Sequence, residues 1–325
     1  MSQSLSTPAA AAPERAQHGA RDFLIAGLAL LALIVAAPWI AYPFFVMEML
    51  CVALFACAFN LLIGYVGLLS FGHAMFFGMA SYVCAHAAKV WGLDPVLAIL
   101  CGVVVAAAMG FVAGALAIRS KGIYFAMITV ALSQMVYFFC VEAPFTHGED
   151  GIQSVPQARA LGLVDLSQPM QLYGFVAVVF LIGFLFVYRT INSPFGEILK
   201  AIRENEPRAI SLGYRVTRYK LTAFVLSAGL AGLAGATKAL VVQNASLSDV
   251  SFSMSGEVVL MTLLGGMGTL YGPVVGAVAV VSMQNYLAQY GEWVTVIQGA
   301  VFVACVLLFR RGIIGEIAHW AGWAL

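Results

Sequence analysis

From residue 23 onward, long apolar runs alternate with short polar interruptions. The runs cover about 23–41, 44–63, 70–88, 95–118, 122–141, 172–190, 219–241, 255–267, 271–289 and 293–310. Most approach the roughly 20 residues that a helix needs to cross a hydrocarbon core of about 30 Å. The pattern predicts an all-α fold, a polytopic transmembrane helix bundle of about ten spans. Run 255–267 is short and its end is broken by Gly265, Gly266 and Gly268; counting it as a crossing gives ten. Two five-span halves would suit an internal duplication, although no convincing sequence repeat links them.

Ser193 to Lys220 is a polar island in this apolar sequence. Ser193 can cap a helix with Pro194 at its first position, where the missing N–H costs nothing. Phe195, Ile198, Leu199 and Ile202 follow at the spacing of an amphipathic stripe, with Glu197, Lys200, Arg203 and Glu204 on and around the other side. Asn205-Glu206-Pro207 restarts the chain. Ala209 and Leu212 give a second, shorter apolar edge, and Gly213 is placed for a left-handed cap. The island is too short and too charged to span a bilayer. Its patterning predicts docking on another protein at the membrane surface; the competing reading is a loop lying on the headgroups.

Two glycine-rich breaks interrupt the apolar regions, Gly64 to His73 and Gly265 to Pro273. Broken helices at membrane depth need protein or water to satisfy the freed backbone groups, so they tend to line cavities. Close helix packing through small residues is the other reading.

Charge placement orients the bundle. Arg119 and Lys121, the basic island from Arg189 to Lys220, and Arg310 with Arg311 all fall inside by the positive-inside rule, whereas acidic segment 142–171 falls outside. Ten spans with both termini cytoplasmic satisfy every assignment. The expected organisation is a disordered cytoplasmic N-terminus over 1–21, a membrane domain over 22–311 with a cytoplasmic loop over 191–219, and a cytoplasmic tail over 312–325. Arg21 and the run after it resemble a signal-peptide start, with Ala36-Ala37 as a small-residue site, but the spans that follow favour an uncleaved first helix.

Hydrophobic residues make up 62% of the chain and charged residues 10%, which places it among polytopic membrane proteins; a net charge of +1 gives no field for nucleic acid. Cys51, Cys57, Cys84, Cys101, Cys140 and Cys305 all fall in apolar stretches and read as small packed residues. The five histidines lack metal-ligand spacing, and no catalytic constellation or phosphate loop appears. Gly232 to Lys238 only imitates such a loop inside an apolar helix.

Glu48, Lys238 and Glu257 map near the outer ends of spans, where they can snorkel or meet water. No Asp, Glu, Lys or Arg lies near the middle of a span, so an intramembrane proton relay is not expected and the energy for pumping comes from outside this chain. Neutral polar groups do occur at depth. Ala126, Thr129, Ser133 and Tyr137 follow helical spacing beside Gln134, as a water-lined path or as interhelical hydrogen bonds. His73, next to Ser70 and Gly72, begins a helix. It could help hold a substrate carboxylate beside free N–H groups, or pack against a backbone partner.

The stretches GYVGLLSFGHAMFFGMASY (64–82), SPFGEILKAIRENEPRAISLGYRVTRYKLTAFVLSAGLAGLAGA (193–236) and LLGGMGTLYGPVVGA (263–277) resemble LivM-type permease subunits of ATP-binding-cassette importers for branched-chain amino acids. The resemblance covers most of residues 50–311, and the 193–236 block is its specific part. It implies a cytoplasmic coupling loop that docks in a groove of an ATPase subunit, with Arg203, Glu204, Asn205, Glu206, Ala209, Leu212 and Gly213 in the coupling segment. There Ala209 and Leu212 would be buried, and Glu206 would meet a basic group or backbone N–H of the partner. The general importer motif is Glu-Ala-Ala-x3-Gly; here Pro207-Arg208 replaces the alanines and Gly213 stands one position later.

Ser70, Gly72, His73, Thr129, Ser133 and Gln134 are the candidate substrate-path residues from the helical spacing and the glycine-rich break. The implied assembly holds a second, LivH-like permease, two cytoplasmic ATPases that bind ATP and Mg, and a periplasmic binding protein, in the bacterial inner membrane. This chain would hold no cofactor and would not itself be an enzyme. Urea or a short amide is an alternative substrate; an ion-coupled secondary transporter and a passive channel are rival classes that the docking island argues against.

Overall fold

The computed structural model describes residues 27 and 29–321, apart from 40, 161, 163, 292 and 309–311. The N-terminal segment 1–21, the basic pair Arg310 and Arg311, and the last residues of the expected tail, 322–325, lie outside the described residues.

Each of the ten apolar runs forms a helix: α1 (Ala29–Trp39), α2 (Pro43–Asn60), α3 (Ala74–Lys89), α4 (Pro95–Ala117), α5 (Ile123–Glu142), α6 (Pro169–Ile191), α9 (Val216–Val242), α10 (Phe252–Gly265), α11 (Gly272–Leu287) and α12 (Trp293–Leu308). The polar island supplies α7 (Pro194–Glu204) and α8 (Glu206–Ser211), and α13 (Gly312–Ala321) is the last helix among the described residues. Proline stands in the first turn of α2, α4, α6, α7, α8 and α11, where no helical N–H is lost.

Five helices are long and apolar enough to cross a membrane alone: α2 with its continuation to Val66, α4, α5, α6 and α9. The others fall short for a local reason. Residues 67–73 are spent on a turn, so α3 starts only at Ala74; 266–271 are spent on another, so α10 stops at Gly265. At about 1.5 Å per residue, sixteen-residue helices such as α3 and α11 reach only about 24 Å.

The core is built around α9, which packs against α2, α3 and α4. Its small residues admit close neighbours; Gly232 lies against Ala106 and Gly235 against the Phe77 backbone. Phe55, Phe59, Phe76, Phe77 and Phe224 fill the space between and are fully buried. The outward faces of α4, α5 and α6 are apolar, exposing Val104, Phe111, Met127, Phe138, Ile182 and Leu185. Such faces suit lipid or a second membrane helix, not water.

The acidic segment between α5 and α6 supplies three of the four short strands among the described residues. β1 (Ile152–Gln153) pairs antiparallel with β4 (Asn244–Ala245), and β2 (Arg159–Ala160) with β3 (Val164–Asp165). Lys89 Nζ donates to the Gln153 carbonyl at 2.7 Å, and Gln157 Nε2 to the Leu240 carbonyl at 3.0 Å, so this segment closes the ends of α3 and α9. Residues 312–321, within the expected cytoplasmic tail, form α13, which packs on α10 and α11.

Candidate functional site

The site begins with how the polar island folds. Ser193 Oγ accepts the Gly196 N–H at 3.4 Å and donates to the Thr190 carbonyl at 2.7 Å, which starts α7 directly off α6. The stripe of α7 faces its own chain. Leu199 and Ile202 are buried, Phe195 stacks on Tyr219 at 5.8 Å between centroids, and Ile202 joins Ala209 and Val216 in a small apolar cluster. Asn205 Oδ1 accepts the Arg208 N–H at 3.1 Å and starts α8.

Gly213 ends α8 with φ +89, its N–H bonded to Ile210 and the next N–H, of Tyr214, to Ala209. That is the left-handed exit expected at this position, and nothing lies within 4 Å of where a Cβ would stand. The free side of α8 is apolar, because Ile210 is 55% and Leu212 69% exposed.

Glu206 is held from two directions. Its carboxylate meets Lys220 Nζ of α9 at 3.1 Å and Lys121 Nζ, just before α5, at 3.4 Å. Burial pushes the carboxyl up, but the hydrogen bonds and charges of Lys220 and then Lys121 outweigh it and hold it below its ordinary value. The short helix α8 is thereby tied to α5 and α9.

Arg203 turns the other way, toward the end of α2, while the residue as a whole stays exposed. α2 runs on into a π-helical turn, Leu61–Val66, that ends at left-handed Gly67. The last carbonyls of a helix lack intrahelical donors and carry partial negative charge. Arg203 Nη1 donates to one of them, the Gly64 carbonyl. Asn60, one turn earlier, reaches across to the second glycine-rich turn: Nδ2 donates to the Thr269 carbonyl at 2.8 Å, and Oδ1 accepts the Gly268 N–H at 3.0 Å. Thr269 Oγ1 in turn donates to Gly266 at 2.8 Å and accepts the Gly272 N–H at 3.1 Å. The two breaks, distant in sequence, thus form one clasp, and Arg203 fastens it to α7.

The expected path residues divide. Phe71 N–H donates to Thr129 Oγ1 at 3.2 Å. A Cβ on Gly72 would stand 2.1 Å from the Thr129 carbonyl oxygen and 3.2 Å from Ser133 Cβ, so only glycine lets this turn approach α5. Ser70 and Ser133 are buried with no hydrogen-bond partner for their hydroxyls among the described residues, and Gln134, next to Ser133 in the chain, is half-buried.

His73 faces elsewhere. It is fully buried, with Nε2 2.9 Å from Ser227 Oγ, which itself donates to the Ala58 carbonyl at 2.5 Å. A hydroxyl has one proton, so Nε2 carries the other and donates. Phe59 and Phe76 stand edge-on at 5.5 and 5.3 Å. The N–H groups expected to be free at the start of α3 are taken: Ala74 by Ser255 Oγ at 3.0 Å, Met75 by Gly72 and Phe76 by His73. His73 is thus packed among aromatic rings and hydrogen-bonded to Ser227.

Of the coupling residues, Leu212 and Gly213 are exposed, as are Glu204 and Asn205. Ala209 and Glu206, expected to meet a partner, are turned to their own chain, because Ile202 and Val216 cover the one and two lysines hold the other. Sequence reasoning missed Asn60 and Thr269 as a pair. A lone amide inside apolar run 44–63 was the available signal. It also missed Lys121 and Lys220 as counter-ions.

The family described as branched-chain amino acid transport system / permease component matches residues 41–306. The high-affinity branched-chain amino acid transport system permease protein LivM of Salmonella typhimurium strain LT2 is 28% identical over 319 residues, 88% of this chain and 74% of that one. Its namesake in Escherichia coli strain K12 is 27% identical over 278 residues, 78% of this chain and 65% of that one. The ribose import permease protein RbsC of Bacillus subtilis strain 168 is 27% identical over 238 residues, 68% and 70% of the two chains. No solved structure matches.

Proposed function

This chain belongs to the family of branched-chain amino acid transport system permease components, and from that premise we propose that it is one membrane half of an ATP-driven importer for branched-chain amino acids. Its ten apolar helices cross or enter the bacterial inner membrane, with both termini in the cytoplasm. A second, LivH-like permease completes the path, two cytoplasmic ATPases bind and hydrolyse ATP with Mg, and a periplasmic binding protein delivers substrate.

The observation that carries this reading is the run of contacts from α8 through α7 to the clasp. The exposed edge of α8, Ile210 and Leu212, is the part of the island left for an ATPase groove. Burial of that edge would contribute about 25 cal/mol per Å² of apolar surface. Glu206 makes α8 move with α5 and α9, and Arg203 passes the motion of α7 to both glycine-rich turns. The first turn abuts Thr129 and Ser133 of α5, so closure of the ATPases would reach Ser70, Gly72, Thr129, Ser133 and Gln134 at the path. Within the same importer class, urea or a short amide is the competing substrate. The ribose permease relative supports keeping it, because a permease similar to this chain bears the name of a sugar.

Reconstitution with the partner subunits in proteoliposomes tests the reading. Labelled leucine, isoleucine and valine should enter only with ATP and binding protein present, and urea should not compete. Uptake by this chain alone under an ion gradient would overturn it. Impermeant thiol labelling of single cysteines at Asp150 and Asn205, in a background without the native cysteines, should come from opposite sides. Labelling from one side would remove the ten-span arrangement.

A further inference from the structure

At the end of the bundle opposite the clasp, three charged residues from distant parts of the chain line one cavity of about 280 Å³. Glu48 lies in the second turn of α2, Glu257 in the second turn of α10, and Lys238 near the end of α9. Gln284 and Asn285 of α11 add amide groups, and the remaining wall is apolar, with Val52, Met254 and Met261 among its residues. From sequence these charges read as snorkelling ends of separate spans; the fold gathers them.

The charges are not balanced. Lys238 Nζ pairs with Asp249, which is 3% exposed, and sits 5.7 Å from the centroid of the Phe77 ring. Glu48 also acts on it electrostatically, so one lysine faces the carboxylates of Asp249, Glu48 and Glu257 and the cavity keeps an excess of negative charge. Glu48 and Glu257 have no ion-pair or hydrogen-bond partner among the described residues. Two half-buried carboxylates facing one cavity are unfavourable unless a cation stands between them. The charge balance therefore calls for one positive group, and the walls call for a hydrocarbon body attached to it. The amide N–H groups and the remaining N–H donors of Lys238 can donate to a carboxylate on the same molecule. A volume just below the range of about 300–1,000 Å³ common for small-molecule pockets suits a single amino acid, not a peptide.

The geometry points to a reception site for an apolar α-amino acid, with Glu48 and Glu257 as counter-ions of its ammonium group and Lys238 facing its carboxylate. The identity of the ligand as cargo rests on the import reading above; the cavity's preference for an ammonium rests on its own charges.

The test measures binding of tritiated L-leucine to the full permease assembly in nanodiscs, without binding protein. Binding should saturate. Isoamylamine, which keeps the ammonium and the apolar body, should displace leucine, and N-acetyl-L-leucine, which lacks the ammonium, should do so at least tenfold more weakly. Glu257→Gln and Glu48→Gln should each weaken leucine at least tenfold without lowering the thermal midpoint. Three results would overturn the site: no saturable binding, equal displacement by the two competitors, or unchanged affinity in both variants. ATP-driven uptake measured in parallel separates the two ideas. Normal uptake with unchanged affinity in the variants removes the cavity alone. Absent leucine uptake by the wild-type importer, with ammonium-selective binding intact, removes the import reading alone.

Discussion

The two ends of this bundle treat charge in opposite ways. At the basic end, Glu206 is shared by two lysines and Arg203 is spent on a helix-end carbonyl. At the opposite end, Lys238 pairs with Asp249, while Glu48 and Glu257, without a direct ion pair among the described residues, face a cavity. An end that must transmit force gains from polar groups that are already bonded, because satisfied contacts move as a unit. An end that must receive a ligand gains from polar groups that are not, because the ligand then completes them. The same few residue types therefore serve stiffness at one end and recognition at the other.

The largest effect should come from breaking the clasp. Arg203→Ala frees the Gly64 carbonyl and cuts α7 from both turns. Asn60→Ala leaves the Gly268 N–H and the Thr269 carbonyl without partners, at about 1–3 kcal/mol for each buried group left unsatisfied. Substrate-stimulated ATP hydrolysis and uptake in the reconstituted complex should fall at least tenfold in both variants. Membrane insertion and the basal hydrolysis of the ATPases should persist. Full stimulation in Arg203→Ala would show that the clasp is packing and not transmission.

Next in size is the exit from α8. Gly213 has φ +89 and open space around it, so Gly213→Val acts through backbone strain alone. A left-handed non-glycine residue costs roughly 1–2 kcal/mol, and a branched one more. The free edge of α8 should lose its geometry, and stimulation should drop severalfold, with Gly213→Asn intermediate because asparagine tolerates this region. Equal activity of the two variants would detach the turn from coupling.

These two predictions differ in how far the sequence could have reached them. Ser193, Pro194, the Phe195-to-Ile202 stripe and Gly213 act on residues within a few positions, so cap, helix and exit were legible before any coordinates. All ten apolar runs became helices for the same reason. The lengths of α3 and α10 were less legible, because how many residues a glycine-rich break consumes depends on what the turn meets. Gly72 turns where Thr129 allows it, and Gly268 where Asn60 waits. The partners of Glu206 come from a loop before α5 and from α9, and no local pattern announces them. His73 shows the same limit, since the cage of Phe59 and Phe76 and the bond to Ser227 are set by packing of α2, α3 and α9.

A smaller effect follows from pH. The folded-state carboxyl of Glu206 is held below its ordinary value of 4.5. Its contribution to holding α8 is then fully present above that value and is lost as pH falls through the lower, folded one. Hydrogen exchange of α8 amides should rise below about pH 4.5 in the wild type, after correction for intrinsic exchange. Glu206→Gln should show the raised exchange already at neutral pH and no further acid step. An acid step that survives in Glu206→Gln would assign it to another group.

The smallest effect sharpens the contrast between the ends. Glu206→Gln removes a carboxylate that is paired with two lysines, so it should lower the thermal midpoint of the detergent-solubilised chain. Glu257→Gln removes a carboxylate with no partner among the described residues, so it should leave the midpoint unchanged or raise it slightly, since an uncompensated half-buried charge is itself unfavourable. Added L-leucine should stabilise the wild type through mass action on the folded state, and Glu257→Gln much less. A lowered midpoint for Glu206→Gln and no lowering for Glu257→Gln, measured in one buffer without ligand, are what the charge arrangement requires. A matching loss of midpoint in both would mean that Glu257 is structurally paired, and the two ends would then no longer differ.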